Sequence, residues 1–586
     1  MRISRLKMGI MAAMAASLLA AACGGGDEAV PTVAPAATTA PAATRAPAAT
    51  TAPPAAATAT TAPAPTRAPV PTATAAPVPT GTMVVALGTL GNFDLLPFTS
   101  TSRPYLDSVY DYIIGVDNNG RADKSGMVQT WQVSADGKTW TFKTATGVLF
   151  HNGDTATADD VLGTLELARS AGSKYANAGR IRSNIASLTS SDNNTVTVAL
   201  NAPGIYWPDI ELGRGGSGGA PAMMLPRSYL QTIGVDEANK KPIGTGPYKV
   251  ATVGVGDRIV MEAVSNHWKL GVPRVKTLTY RVIPEESTRI ALLKSGDADL
   301  TSTSRAAIPD IQRTQGLSIF RRDQSSSGLL RFEQQFIQSY EGYGENPFAK
   351  PDVRKALGWY AIDRKAILDT FMKGAGLLSM NFPVFFTDPA YEKMEIPAFD
   401  PTKAKQMLTQ AGYANGFTID LLTYASSPAL PESLEIMEAV AVYWEKVGIK
   451  VNRKPTTFTN WIALMSAGKP LDRPTASGLI YQGIFAAPSA ANFSNGHAAS
   501  SAFSANRDAD LDKGALAWAN AATAADYVTA GRAYQRLAYD RGCAAGGGCP
   551  LFEAGDVFAA GAKVPKTWNL GAGSYSWQIE LAAALR

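Results

Sequence analysis

The alternation of apolar and polar positions is clearest in "WQVSADGKTWTFKTATGVLFHNGDTATADDVLGTLELAR". Two period-two runs flank Asp136-Gly137, a dipeptide suited to a tight reversal, and so predict a β-hairpin. Beyond "FHNG" the period lengthens. Val161, Leu162 and Leu165 fall on one helical face, and Thr157 with Asp160 three residues on forms a helix-start signal. The logic recurs in "FDPTKAKQMLTQAGYANGF": Asp400 caps, Pro401 opens the helix, Ala404, Met407, Leu408 and Ala411 make the buried stripe, and Gly412 stops it. In "NPFAKPDVRKALGWYAIDRKAIL", Pro351 suits a first helical turn and Asp363 a cap. "YWEKVGIKV" ends a helix at Gly448 and opens a strand. "PIGTGPYKV" reads as a turn feeding a strand, with positive φ expected at Gly244 and Gly246 and a fixed φ at Pro247.

The patterning fails at the N-terminus. A basic start, Met-Arg-Ile-Ser-Arg-Leu-Lys, precedes an apolar run from Met8 to Ala22, shorter than the roughly 20 residues of a membrane-spanning helix. That is the form of a secretory signal over residues 1–22. Ala20, Ala21 and Ala22 before Cys23 resemble a bacterial lipobox, with the large apolar residue at Leu19 one place early; Cys23 would carry the lipid, and an ordinary signal peptide cut near Ala22 is the alternative. From Ala29 to Thr82 the chain is almost wholly Ala, Pro and Thr, which supplies no core and favours an extended, disordered tether over 23–82. Fully extended at about 3.1 Å per residue it reaches on the order of 150 Å. Pro- and Thr-rich tracts also accept glycans.

The remainder, from Met83 to Arg586, exceeds one compact core and predicts two or three domains. Across the 586 residues the formal charge is +5 and the basic residues are not clustered, which gives no support to nucleic-acid binding. Besides Cys23 there are only Cys543 and Cys549, separated by "AAGGG" in an exported chain. A local disulfide is expected; a metal pair is the alternative, without a histidine nearby. His151, His267 and His497 have no zinc-ligand spacing, His267 lies in a strand-like segment, and no phosphate loop is present, so neither a metal nor another cofactor is expected. "GGSGG", Gly215 to Gly219, fits the G-x-S-x-G pattern around Ser217, but Pro221 and Pro226 interrupt the helix that a nucleophile elbow requires, so a loop is expected rather than a serine hydrolase.

The strand, hairpin, "FHNG" turn and capped helix resemble the signature of the bacterial extracellular solute-binding proteins of family 5, the oligopeptide, dipeptide and nickel binders of ABC importers. "VYDYIIGVDNNG", "PIGTGPYKV", "TRIALLKSGDADL", "NPFAKPDVRKALGWYAIDRKAIL", "FDPTKAKQMLTQAGYANGF" and "YWEKVGIKV" follow in that family's order. The resemblance implies an α/β class II periplasmic-binding-protein fold with two lobes, a hinge and an inserted subdomain. Lobe I would combine 83–114, 222–320 and 551–586, the inserted subdomain 115–221, and lobe II 321–550. It further implies a non-enzymatic, monomeric subunit, lipid-anchored on the outer face of the cytoplasmic membrane, that captures a small solute, a peptide or an oligosaccharide, and delivers it to permease and ATPase subunits. A sensor that passes occupancy to a signalling partner is the rival role.

By the same resemblance "PFTSTSR" matches the first-lobe loop facing the ligand, which makes Thr101 and Ser102 candidates. "GLIYQGIFAAPSAANF" matches the second-lobe strand and loop on which peptide binders carry an aspartate for the peptide's amino group. Ile484 stands at that place, beside Tyr481 and Phe485, and Met465 replaces a basic residue of some members. A pocket without that aspartate disfavours a free ammonium. Tyr481, Phe485 and Trp461 could instead stack on a sugar or another neutral solute, or be core aromatics.

Overall fold

The computed structural model describes residues 78–88, 90, 95–97, 102–117, 121–175, 178–212, 223–254, 257–322, 326–380, 384, 386–424, 432–456, 460–461, 464, 471–481, 507–544, 548–571 and 577–584. The signal segment, Cys23, the tether up to residue 77, Ser217, Met465 and His497 lie outside them. All belong to a compact unit spanning Ala75–Arg586.

Two sheets organise that unit. A seven-stranded sheet has the spatial order Ser318–Arg321, Val557–Ala560, Leu300–Ser302, Thr80–Leu87, Val275–Val282, Arg258–Ala263 and Tyr248–Gly254. Thr80–Leu87 runs parallel to both Val275–Val282 and Leu300–Ser302. A six-stranded sheet has the order Gly376–Leu377, Gly548–Ala554, Ser326–Phe332, Thr475–Tyr481, Thr418–Tyr424 and Lys450–Thr456, the last three mutually parallel. Each carries its own apolar core. One joins Met83, Val85 and Leu87 to Leu278 and Tyr280; the other joins Leu330 and Phe332 to Met437, Val440 and Trp444 of the helix Ser433–Lys446. The chain leaves the first sheet after Arg321 and returns after Ala554. The return crossing therefore lies past the expected boundary of 551, because Leu551, Phe552 and Ala554 are buried in the core of the six-stranded sheet.

Between Gly115 and Leu212 the chain forms a four-stranded antiparallel sheet, ordered Val128–Val133, Thr139–Thr144, Thr195–Leu200 and Ile185–Asp192. Its first two strands are the hairpin closed at Asp136-Gly137, where the Gly137 N–H donates to the Ser134 carbonyl. The helix Ala158–Arg169 begins at Thr157, whose N–H and hydroxyl both donate to Asp160 Oδ2, at 2.8 and 3.1 Å. Its apolar face buries Val161 and Leu165 with Trp140 and Phe142.

Two readings change. Neither Gly244 nor Gly246 has the expected positive φ. The reason for glycine is close approach: a Cβ at Gly244 would overlap the Val109 carbonyl oxygen, and one at Gly246 would lie 2.6 Å from the Val109 carbonyl carbon. The turn presses on residues 108–110, with the Gly246 N–H donating to the Val109 carbonyl and that of Tyr248 to the Ser108 carbonyl. On its other side His151 of "FHNG" donates from Nε2 to the Gly246 carbonyl at 2.9 Å. His267, expected in a strand-like segment, sits in a short turn closed onto Gly271. There its Nε2 lies 3.1 Å from Asp111 Oδ2, which also accepts from the Trp268 indole at 2.7 Å. Burial alone would raise the Asp111 pKa, but these bonds together with the His267 charge hold it below the ordinary value.

Candidate functional site

In open α/β sheets the groups that contact a ligand collect beyond the carboxyl ends of parallel strands. In the seven-stranded sheet these ends are Leu87, Val282 and Ser302. The segment after Leu87 leads to Ser102 and Arg103, and the one after Ser302 leads to Arg305. In the six-stranded sheet they are Tyr424, Thr456 and Tyr481, and the described residues that follow the first two include Glu432 and Trp461.

The two carboxyl edges meet. Arg305 donates from its backbone N–H to Glu432 Oε1 and from Nη1 to Glu432 Oε2, both at 3.1 Å, and from Nη2 to the Gly555 carbonyl. Arg305 is 2% exposed. Next to Gly555, Asp556 accepts from Arg322 Nη2 at 2.5 Å and from the Trp577 indole at 2.9 Å. Both crossings between the sheets are thus tied by ionic hydrogen bonds, stronger than neutral ones.

Of the expected ligand residues, Thr101, Ile484 and Phe485 lie outside the described residues, and Tyr481 is placed as the last residue of Thr475–Tyr481, in register with Ser327. Ser102 is fully buried at the head of the short helix Arg103–Leu106. Trp461 is buried against the six-stranded sheet, where its indole donates to Glu333 Oε1 at 3.3 Å. The Ser477 hydroxyl donates to the same oxygen at 2.5 Å. Arg331 donates from Nη2 to Glu333 Oε2 at 3.1 Å and stands 5.1 Å from the centre of the Trp461 ring. The edge of Trp461 that carries its N–H is committed to this cluster, and its π system to a guanidinium.

Sequence reading missed Arg331, Glu333, Arg305 and Glu432. The signal was slight: two charges two residues apart around Phe332, an arrangement that puts both on one face of a strand. Among the described residues no group of three or more His, Cys, Asp or Glu side chains could hold a metal ion, and no helix is long and apolar enough to cross a membrane. Cys543 and Cys549 stand with their Cα atoms 4.1 Å apart and their sulfurs joined. Both sulfurs pack on Gly358, where a Cβ would collide with them.

A family model described as "Bacterial extracellular solute-binding proteins, family 5 Middle" matches residues 124–497. Di/tripeptide-binding protein 1 of Pseudomonas aeruginosa (strain UCBPP-PA14) is 28% identical over 394 residues, covering 62% of this chain and 69% of its own. The glutathione-binding protein GsiB of Escherichia coli (strain K12) is 28% identical over 375 residues, covering 63% and 68%. The dipeptide binding protein of Pseudoalteromonas sp. SM9913, solved in complex with Met-Leu, superposes with a TM-score of 0.70 at 20% identity, covering 86% of this chain and 100% of that one.

Proposed function

The chain belongs to the bacterial extracellular solute-binding proteins of family 5, and from that premise we propose that it is the solute-capturing subunit of an ABC importer. It takes a small solute of the peptide class between its two lobes, closes on it, and presents the closed form to a membrane permease served by separate ATPase subunits. The observation that carries this reading is the meeting of the two carboxyl edges at Arg305 and Glu432. A site split between two lobes in this way closes when a ligand makes contacts that exist only in the closed form. The di/tripeptide, glutathione and dipeptide binders among its relatives support the peptide class. Ile484, at the place where peptide binders carry an aspartate, favours a second reading within the same fold, an oligosaccharide or a blocked peptide.

The subunit acts by binding and release without bond chemistry. It is held by a lipid on Cys23 at the outer face of the cytoplasmic membrane, with the segment from Cys23 as the tether; the expected end of that tether at residue 82 moves back, because Thr80–Leu87 is a strand of the seven-stranded sheet. Conversion of Cys23 to Ala is expected to remove an acyl label and release the chain from the membrane fraction. Mass spectrometry of the solute that copurifies with the chain, followed by calorimetry with that solute, tests the capture role. A peptide bound in the micromolar range supports it. A chain without copurifying solute that binds no member of a peptide pool or an oligosaccharide panel overturns it.

A further inference from the structure

Arg103 is 1% exposed, yet among the described residues none of its three guanidinium nitrogens has a hydrogen-bond partner. The hydroxyl of its fully buried neighbour Ser102 is in the same condition. The guanidinium stands 5.7 Å from the centre of the Tyr112 ring, and the Tyr112 phenol donates to Asp107 Oδ1 at 2.6 Å. Asp107 is one helical turn beyond Arg103, its N–H donating to the Arg103 carbonyl, but its carboxylate makes no hydrogen bond with the guanidinium.

The other buried arginines show how this fold treats such a group. Arg289 donates to the carbonyls of Ile283 and Pro284, at 2.8 and 2.7 Å. Arg354 donates to those of Phe348, Ala349, Arg541 and Gly542. Arg364 donates to those of Trp359 and Pro550, at 2.9 and 3.2 Å, while Arg305 and Arg331 bond carboxylates. A buried guanidinium that makes no hydrogen bond is costly, and among the described residues every other buried arginine makes at least one, so Arg103 presents a fork to be met from outside. In sequence, Ser102 and Arg103 follow from Leu87, a carboxyl end of the parallel strands beyond which ligand contacts collect.

We infer that Arg103 and Ser102 bind a carboxylate of the captured solute. The planar guanidinium fork presents paired N–H groups that match the two oxygens of a carboxylate, and the adjacent hydroxyl supplies a further donor. The nearby Asp107 carboxylate disfavours a doubly charged group such as a phosphate dianion. The inference rests on the reading of the chain as a solute receptor and adds the chemical class of the group recognised.

The test uses the full chain, freed of bound solute by unfolding and refolding, as wild type, Arg103→Met and Ser102→Ala. Without solute, Arg103→Met is expected to melt about 2 °C higher than wild type, because it removes a buried guanidinium that makes no hydrogen bond and keeps the side-chain volume. A lower melting temperature would identify a structural arginine and overturn the inference. Calorimetry then compares a dipeptide pool with the same dipeptides amidated at the C-terminus, and digalacturonate with its methyl ester. The wild type is expected to favour the acid over its neutral partner by about 100-fold in one of the two pairs, which also separates a peptide carboxylate from a sugar acid. Arg103→Met should erase that preference and Ser102→Ala weaken acid binding about tenfold. Equal affinity of wild type for an acid and its neutral partner overturns the carboxylate site while leaving solute capture standing. Failure of every probe to bind counts against both.

Discussion

Trp461 shows how a residue's surroundings decide its role. Its indole N–H, the Ser477 hydroxyl and Arg331 all converge on Glu333, which is fully buried. Replacing Glu333 with Gln keeps the shape but leaves the Arg331 charge uncompensated, and should lower stability by about 3 kcal/mol in urea unfolding. Converting Arg331 to Met in the same chain should return most of that loss, whereas strictly additive effects would show that the two charges are not coupled. His151 gives a prediction in pH. Burial lowers its pKa from the ordinary value, although its bond to the Gly246 carbonyl acts the other way. The folded state therefore resists a proton that the unfolded chain accepts at about pH 6.5. Stability should fall as pH drops below that point and level off once folded His151 is protonated. A His151→Gln variant should flatten the urea midpoint between about pH 6.5 and pH 5; an unchanged slope would assign the proton to another group.

Among elements, those fixed by neighbouring residues were the ones the sequence revealed. Asp400 accepts from the Lys403 N–H at 2.8 Å, Pro401 opens the helix Pro401–Gln410, and Ala404 and Leu408 are its buried positions. Asp363 likewise caps the helix Arg364–Ile367 by accepting from the Ala366 N–H at 2.9 Å. Asp400→Ala should cost about 1 kcal/mol, read from the thermal unfolding midpoint, and Asp400→Asn much less. Loss of several kcal/mol would mean that the carboxylate does more than cap. Long-range placement was not legible in the same way. The glycines of "PIGTGPYKV" announce a turn, but the close approach to Val109 that excludes a side chain comes from a segment far back in the chain. The Glu333 partners Trp461 and Ser477 are likewise distant in sequence, so nothing local marks Glu333 as buried. Of the expected site, Ser102 was singled out and Arg103 was not, because an arginine in a polar loop reads as solvated and only its burial without a hydrogen bond sets it apart.

At the scale of the whole molecule, the lobes are joined by two chain crossings and by the Arg305–Glu432 pair. The pair involves residues from the carboxyl edges of different sheets, so moving the lobes apart must break it, whereas the Arg322–Asp556 and Trp577–Asp556 bonds lie at the crossings. With Arg305 at 2% and Glu432 at 12% side-chain exposure, the attraction is poorly screened by salt. A contact that parting of the lobes would break shifts the equilibrium toward the arrangement in which it is made. Glu432→Gln should therefore enlarge the radius of gyration of the solute-free chain in X-ray scattering. It should also weaken solute binding about tenfold without touching the solute, because part of the binding free energy must then go into closing the lobes. Raising NaCl from 0.1 to about 0.5 M should change the wild type much less than the substitution does. Scattering and affinity that are both unchanged in Glu432→Gln would show that the pair ties the lobes without biasing their closure.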